Sequence, residues 1–425
     1  MKKALIFILV LLMTAGFVFS GGDRDASAAA QGTVLKVGVL APLTGVFAGG
    51  GWLISEGVKL AFENVNYEVA GRPIQLFIED TGARPDMAIQ KTQRLVEREK
   101  VQLILGPLSG GEGMAMKEFG PKIPNVTVIV AGSAAEDITM RGIKENVFRT
   151  SYSGAQVMFP FGKYAYEKLG MRRIATIASD YAFPHSQVGG FLSTYLLAGG
   201  EVAARIWVPF GAPVDFSSYI AQIPKDIDGL LVALGGTDAI NFVKQFKEFG
   251  LLGKIPILGG SIFVDPVVLS QVGEDLIGVK SGSHYAQELP YPEFEAFDKA
   301  FIERNKLPSS LWAADYFVAT QAAIEALKAV NGKIEDQKAF REALRKVKMN
   351  TPRGPFEFDK FQNVVLTSYI TELKKIDGQY RNVVIESFPK QDQFGPFDPD
   401  WYQAQPPFGR DTPTLETLKK AVFKK

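Results

Sequence analysis

From Val34 onward, short runs of β-branched and aliphatic residues alternate with longer stretches in which apolar positions recur every three or four residues. That alternation predicts successive βα units feeding parallel sheets. Residues 35–40, 74–79, 101–105, 126–130, 173–178, 202–208, 229–234 and 255–258 read as strands. Between the first two, Ile54, Val58, Ala61 and Val65 share one face while Glu56, Lys59 and Glu63 take the other, which predicts a helix lying on a sheet. Helical periods also span 88–99, 157–169, 239–249, 293–304 and 314–330. Beyond Thr351 the helices stop, and 354–358, 364–373 and 383–388 read as strands joined by turn residues such as Asp377-Gly378. The tail from Pro389 concentrates aromatic residues and proline, including Trp401-Tyr402 and Pro406-Pro407. So many rings would otherwise stay wet, and the tail is expected as an ordered strap over a lobe.

The 425 residues are 46% hydrophobic, enough for more than one core, and two domains without a low-complexity linker are expected. The 47 Lys and Arg balance 46 Asp and Glu, leaving no basic field for a phosphate backbone or an anionic membrane surface. Nucleic acid is therefore not an expected partner. At the start, Lys2 and Lys3 precede an apolar run from Ala4 to Phe19, and small residues fill 26–30. This is the layout of a secretory signal peptide, assigned to residues 1–30 with Gln31 as the first mature residue, and it predicts a periplasmic protein. The run is short of the ~20 residues a membrane span needs, so no insertion is expected after cleavage. Cysteine is absent, which excludes a lipidated N-terminal cysteine, disulfides and cysteine-based metal or nucleophile chemistry.

Few residues have a spacing suited to catalysis. His185 and His284 are the only histidines and neither has metal-ligand spacing, so no metal or cofactor is expected. Gly132-Ser133 and Gly260-Ser261 lack the second glycine of a nucleophile elbow. Gly45, Gly49, Gly50 and Gly51 do not have dinucleotide-binding spacing, and no Walker lysine follows them. The chain is not expected to be an enzyme. What remains are two strand-to-helix junctions, one at 105–111 with Ser109 and one at 130–135 with Gly132, Ser133 and Ala134. Free N–H groups at such junctions suit a carboxylate, and open α/β sheets bind ligands at these strand ends. Taken alone, Ser109 reads first as a simple helix N-cap.

The segments VGVLAPLTG at 37–45, GPLSGG at 106–111, VAGSAAEDIT at 130–139, FRT at 148–150 and SDYAF at 179–183 occur in that order. Together they resemble the class I periplasmic solute-binding proteins of the branched-chain amino acid type. The closing QFGPFDPDWYQAQPPFGRD is similar to the branch of that family that carries aromatic carboxylates. The resemblance implies an α/β protein of two Rossmann-like lobes with parallel-rich sheets, joined by three hinge crossings near Tyr152, Gly282 and Thr351. The first lobe would be 31–152 with 283–351, and the second 153–282 with 352–425. It also implies a monomeric receptor that carries a small-molecule ligand to the membrane permease subunits of an ABC transporter.

Carried over residue by residue, Ser109 and the backbone at Gly132, Ser133 and Ala134 would hold a carboxylate, with Ala134 at the family's threonine position. Phe183 would be an aromatic wall, with His185 beside it as a donor. Ser261 stands where amino-acid binders keep the acidic residue that meets the ligand's ammonium. Gly50 stands at a tyrosine position, which predicts a pocket enlarged on that side. Trp52, Tyr152, Phe210, Thr237 and Phe317 fall near family contact positions. A buried ammonium without a counter-charge costs several kcal/mol, so the implied ligand is an organic acid, with an aromatic carboxylate favoured. Branched-chain amino acids or amides stay open, with Asp238 or Asp180 serving the ammonium, and so does a secreted hydrolase on a two-lobed scaffold.

Overall fold

The computed structural model describes residues 33–424, which form two sheets. The expected signal peptide at 1–30 lies outside the described residues. In the first sheet, β1 (Leu35–Ala41), β2 (Glu68–Val69), β3 (Arg72–Asp80), β4 (Leu103–Leu105), β5 (Thr127–Val130) and β6 (Val147–Arg149) lie in the order β2-β3-β1-β4-β5-β6. All neighbours are parallel except β2 and β3, and Val37 of β1 stands opposite Leu76 and Leu103. Alternate residues feed separate cores: Leu103, Leu105 and Ile129 pack in one, and Ile104, Val128 and Val130 in another. A sheet covered on both faces needs apolar residues at nearly every position, which is why its strands read as continuous runs.

The second sheet contains β7 (Arg173–Ser179), β8 (Glu201–Val208), β9 (Gly229–Ala233), β10 (Ile257–Gly259), β11 (Lys280–Ser283), β12 (Lys348–Thr351), β13 (Gly354–Phe358), β14 (Val364–Ile376) and β15 (Gln379–Gln391). Its order is β12-β13-β14-β11-β10-β9-β7-β8, with β15 also on β14. β7 to β11 are parallel, and β12 to β15 add antiparallel neighbours. The last hairpin turns where predicted, at Asp377 (φ 49°) and Gly378 (φ 78°).

The chain passes between the sheets three times. It leaves the first after β6, returns after β11 into the helix Leu311–Ala329, which packs on the helix Ala48–Glu63, and re-enters the second at β12. The expected lobe limits group Lys348–Thr351 with the first lobe, whereas this strand hydrogen-bonds into the second sheet through β13.

Two differences from the expected elements have clear causes. The helix Ala182–Leu197 carries no apolar stripe because it is buried on nearly every side, so periodicity does not reveal it. The helix expected over 88–99 is Pro85–Arg94 continued by a π-turn, Leu95–Glu99, and closed by left-handed Lys100 at φ 60°. The aromatic tail is ordered: Phe397 and Tyr402 are buried, with ring centroids 5.7 and 6.1 Å from that of Phe159. Among the described residues no helix is long and apolar enough to cross a membrane.

Candidate functional site

Both predicted junctions open at the carboxyl ends of β4 and β5, facing the second sheet's helices. After β4 the chain turns at Gly106, whose φ of 110° favours glycine and where a Cβ would come within 2.5 Å of the Leu40 carbonyl oxygen. Ser109 then caps the helix Gly110–Phe119. Its Oγ accepts the Glu112 N–H at 3.3 Å while the Glu112 carboxylate accepts the Ser109 N–H at 2.7 Å, and the Ser109 hydroxyl donates to the Ala83 carbonyl at 3.2 Å. The capping reading of Ser109 therefore holds; the same residue also lines the cavity between the sheets, with its one hydroxyl proton already given to Ala83. The N–H groups of Gly110 and Gly111, in the first turn, have no intrahelical acceptor. At the neighbouring junction Gly132 and Ser133 donate their N–H groups to the Pro107 carbonyl.

The cavity holds about 20 Å³ and is lined by Phe47, Leu108, Ser109, Gly110, Gly132, Ala134, Tyr152, Tyr181, Phe183, Ile262 and Trp312. Room for roughly one water contrasts with ligand pockets of about 300 Å³ and more, so a solute enters only when the walls part. Five of the lining residues are aromatic and none is Asp, Glu, Lys, Arg or His. The rings form a nearly continuous chain. Trp312 meets Phe47 edge-on at 5.7 Å, Phe47 lies 5.8 Å from Phe210, and Phe210 stacks on Tyr181 at 4.2 Å. Tyr181 and Tyr152 each lie 6.2 Å from Phe183.

Of the expected site residues, Ser109, Gly132, Ala134, Tyr152 and Phe183 come together here. Ser261 sits just behind the wall, where its Oγ shares a 2.8 Å hydrogen bond with the Tyr152 hydroxyl and accepts the Gln187 amide at 2.7 Å. The remaining four lie elsewhere. The Ser133 hydroxyl is turned into the floor, bonded to the carbonyls of Pro107 and Ser109. His185 is held by Asp180 at 2.9 Å, Thr237 is exposed, and Phe317 packs against Phe297 at 4.7 Å inside the helical core. Trp52 is 42% exposed.

The enlargement expected at Gly50 is absent, because the Trp312 ring occupies that space and would lie 2.2 Å from a Cβ there. Phe47, Leu108, Tyr181, Ile262 and Trp312 also line the wall, and the sequence did not single them out as contacts. The bare glycine facing a tryptophan-bearing helix was the available signal for Trp312; Phe47, just before its helix, offered none.

Behind Tyr152 a buried polar cluster joins the crossings. His284 stacks on the Tyr152 ring at 4.1 Å, and its Nε2 is 2.7 Å from Asp315 Oδ1. Arg353 donates to the same Asp315 oxygen at 2.5 Å and to the carbonyls of Ser151 and Thr150 at 3.2 and 2.8 Å. Burial, outweighing the nearby Asp315, holds the His284 ring below its ordinary pKa. Burial pushes the carboxyl of Asp238, in the first turn of the helix Gly236–Glu248, up to about 6. Among the described residues no group of three His, Asp or Glu is placed to hold a metal ion.

Comparison with known proteins places this geometry. A Leu/Ile/Val-binding protein homolog of Brucella melitensis is 28% identical over 393 residues, spanning 90% of this chain and 97% of the relative. An ABC transporter substrate-binding protein from Sphaerobacter thermophilus is 31% identical with a TM-score of 0.78, covering 85% of this chain and 99% of that one. A solute-binding protein of an ABC transporter from Rhodopseudomonas palustris BisB5, solved with 3,4-dihydroxybenzoic acid, is 28% identical with a TM-score of 0.79, covering 85% and 98%. The sequence profile of the periplasmic binding protein family matches residues 34–379, and with two parallel-rich sheets joined by three crossings beside a small cavity, this chain belongs to that family.

Proposed function

We propose that the mature chain is the solute receptor of an ABC-type uptake transporter, and that it closes its cleft on a small organic acid, with an aromatic carboxylate favoured. One observation carries the ligand class: the cavity wall supplies aromatic rings, hydroxyls and first-turn N–H groups, and no charged side chain. Such a wall solvates a ring and hydrogen-bonds a carboxylate, and it leaves an ammonium without a counter-ion. The Rhodopseudomonas relative, solved with a dihydroxy aromatic acid, supports the same direction. Export through residues 1–30, a monomeric periplasmic state, delivery to permease subunits and the absence of turnover complete the proposal. Ser109, Gly110, Ala134, Tyr152 and Phe183 are its contact residues, and the crossings beside Tyr152, after Ser283 and before Lys348 are its hinges.

A branched-chain amino acid or amide is the second reading. It is favoured by Asp238, which is buried, has no partner for Oδ2 among the described residues, and acts electrostatically on Tyr181. A thermal-shift screen of the mature protein against benzoate, phenylpropanoid acids, dicarboxylates and amino acids separates the two. A ligand at a thousandfold excess over Kd stabilises by about 4 kcal/mol. Stabilisation by aromatic acids is expected; stabilisation by leucine or valine and by no acid would move the assignment to the second reading.

A further inference from the structure

The family match ends at residue 379, yet the chain beyond it is fixed to the surroundings of both sheets. On the first-sheet side, the short turn Glu136–Ile138 follows β5, and the buried Glu136 carboxylate accepts the Phe408 N–H at 3.0 Å. Arg141, paired with Asp137 at 2.6 Å, donates to the carbonyls of Tyr402 and Gln403, both at 3.1 Å. On the second-sheet side, the Phe408 ring lies on Gly189 of the helix Ala182–Leu197, where a Cβ would be 2.2 Å from it. Arg410 binds both carboxylate oxygens of Asp180, and its carbonyl accepts the Trp207 indole N–H at 3.2 Å. Asp180 also holds His185, whose ring meets Trp207 edge-on at 4.6 Å. Asp180 and His185 flank Tyr181 and Phe183, which line the cavity.

We propose that residues 405–413 form an interlobe brace in which Phe408 and Arg410 are positioning residues, holding the Tyr181–Phe183 wall against the first-sheet side and biasing the cleft towards closure. The proposal uses the functional reading above for the location of the cleft and does not depend on which solute fills it. Phe408 and Arg410 are two residues apart, a reach of about 7 Å when extended, so the segment cannot pay out chain as the lobes separate. Opening must break the Phe408–Glu136 bond on one side or the Gly189 and Asp180 contacts on the other. The Arg410 side chain is 64% exposed, and ion pairs of that kind are weak and reversible, which suits a catch that opens. A contact present only in the closed form shifts the open–closed population and slows ligand release.

The chain has no cysteine, so Glu97→Cys and Lys225→Cys, exposed positions beside the first and second sheets, accept spin labels specifically. Interlobe distances measured by double electron–electron resonance in the ligand-free, full-length mature protein are expected to shift to longer values in the Phe408→Ala, Arg410→Gln double variant. With benzoate as the probe, dissociation is expected to be at least fivefold faster. An unchanged ligand-free distance distribution overturns the brace. Should the double variant fold poorly, Arg410→Gln alone, at an exposed side chain, gives the same readout, and an unchanged distribution there overturns it equally. If benzoate fails to bind the parent protein, the ligand assignment falls while the distances still decide the brace.

Discussion

His284, Asp315 and Arg353 form a buried cluster where the crossings meet, and His185, Asp180 and Arg410 form one of the same three residue types on the cleft rim. The side chains of His284 and Asp315 are 0% exposed and that of Arg353 is 5% exposed, whereas Arg410 is 64% exposed. The chemistry is shared and the solvent is not. In the hinge, burial lowers the pKa of both His284 and Arg353, and each group depends on its partners for the solvation it has lost. On the rim, burial of Asp180 is outweighed by its bonds to Arg410 and His185, which hold the carboxyl below its ordinary range, and water can replace Arg410 when the pair parts. One cluster aligns the crossings and steadies Tyr152; the other can break and re-form as the lobes move.

The largest effect should come from the hinge. Asp315→Leu leaves Arg353 buried without its counter-charge and should cost about 3–5 kcal/mol in denaturant unfolding. A loss below about 1 kcal/mol would mean that water reaches the hinge, and the contrast between the clusters would vanish.

A smaller effect should appear in the pH dependence. His284 has a depressed pKa in the folded state, so the stability its neutral ring contributes is present above about pH 6.5 and is lost as the pH falls through the folded value. Asp238 and Asp265, pushed up by burial to about 6 and about 7, act with the opposite sign: their contribution is present below about pH 4 and is lost as the pH rises through 6 to 7. Because both carboxyls are common to parent and variant, the difference between them isolates the histidine. His284→Gln should therefore lose less stability than the parent between pH 7 and pH 5, as measured by thermal unfolding. A parallel pair of curves would show that the ring never has to resist a proton.

The smallest effect belongs to the rim, where Arg410→Gln should change global stability by no more than about 1 kcal/mol. A loss matching that of Asp315→Leu would make the rim cluster a structural joint and remove its role as a catch.

The parallel sheets were legible because a strand buried on both faces must be apolar throughout, as in β4 and β9. The helix Ala182–Leu197 was not, since burial on all sides erases its period, and it carries both a cavity wall and the seat of Phe408. At the site, the positions of the junctions at Ser109 and Gly132 were readable from the strand-to-helix pattern, but not that the Gly132 and Ser133 N–H groups, expected free, are taken by the Pro107 carbonyl. Trp312 and Phe47 were not readable, because which ring fills the space above Gly50 is decided by packing between helices distant in sequence. The place of His185 beside Phe183 points it towards the ligand; its partner is instead Asp180, in turn claimed by Arg410, 230 residues away along the chain, which no local pattern announces.

The central claim is that this cleft suits a ring-bearing acid, because its wall supplies rings and hydrogen-bond donors and no charged side chain to neutralise an ammonium. It is tested most directly by titration calorimetry of the mature protein with 3-phenylpropanoate and with phenylalanine, which share a skeleton and differ by the amino group. The account predicts that the acid binds tighter by at least ~2 kcal/mol, about thirtyfold, with leucine weak or silent. Micromolar binding of phenylalanine or leucine with no binding of the acid would contradict it, and would leave Asp238 as the first carboxylate to test as counter-ion of a bound ammonium.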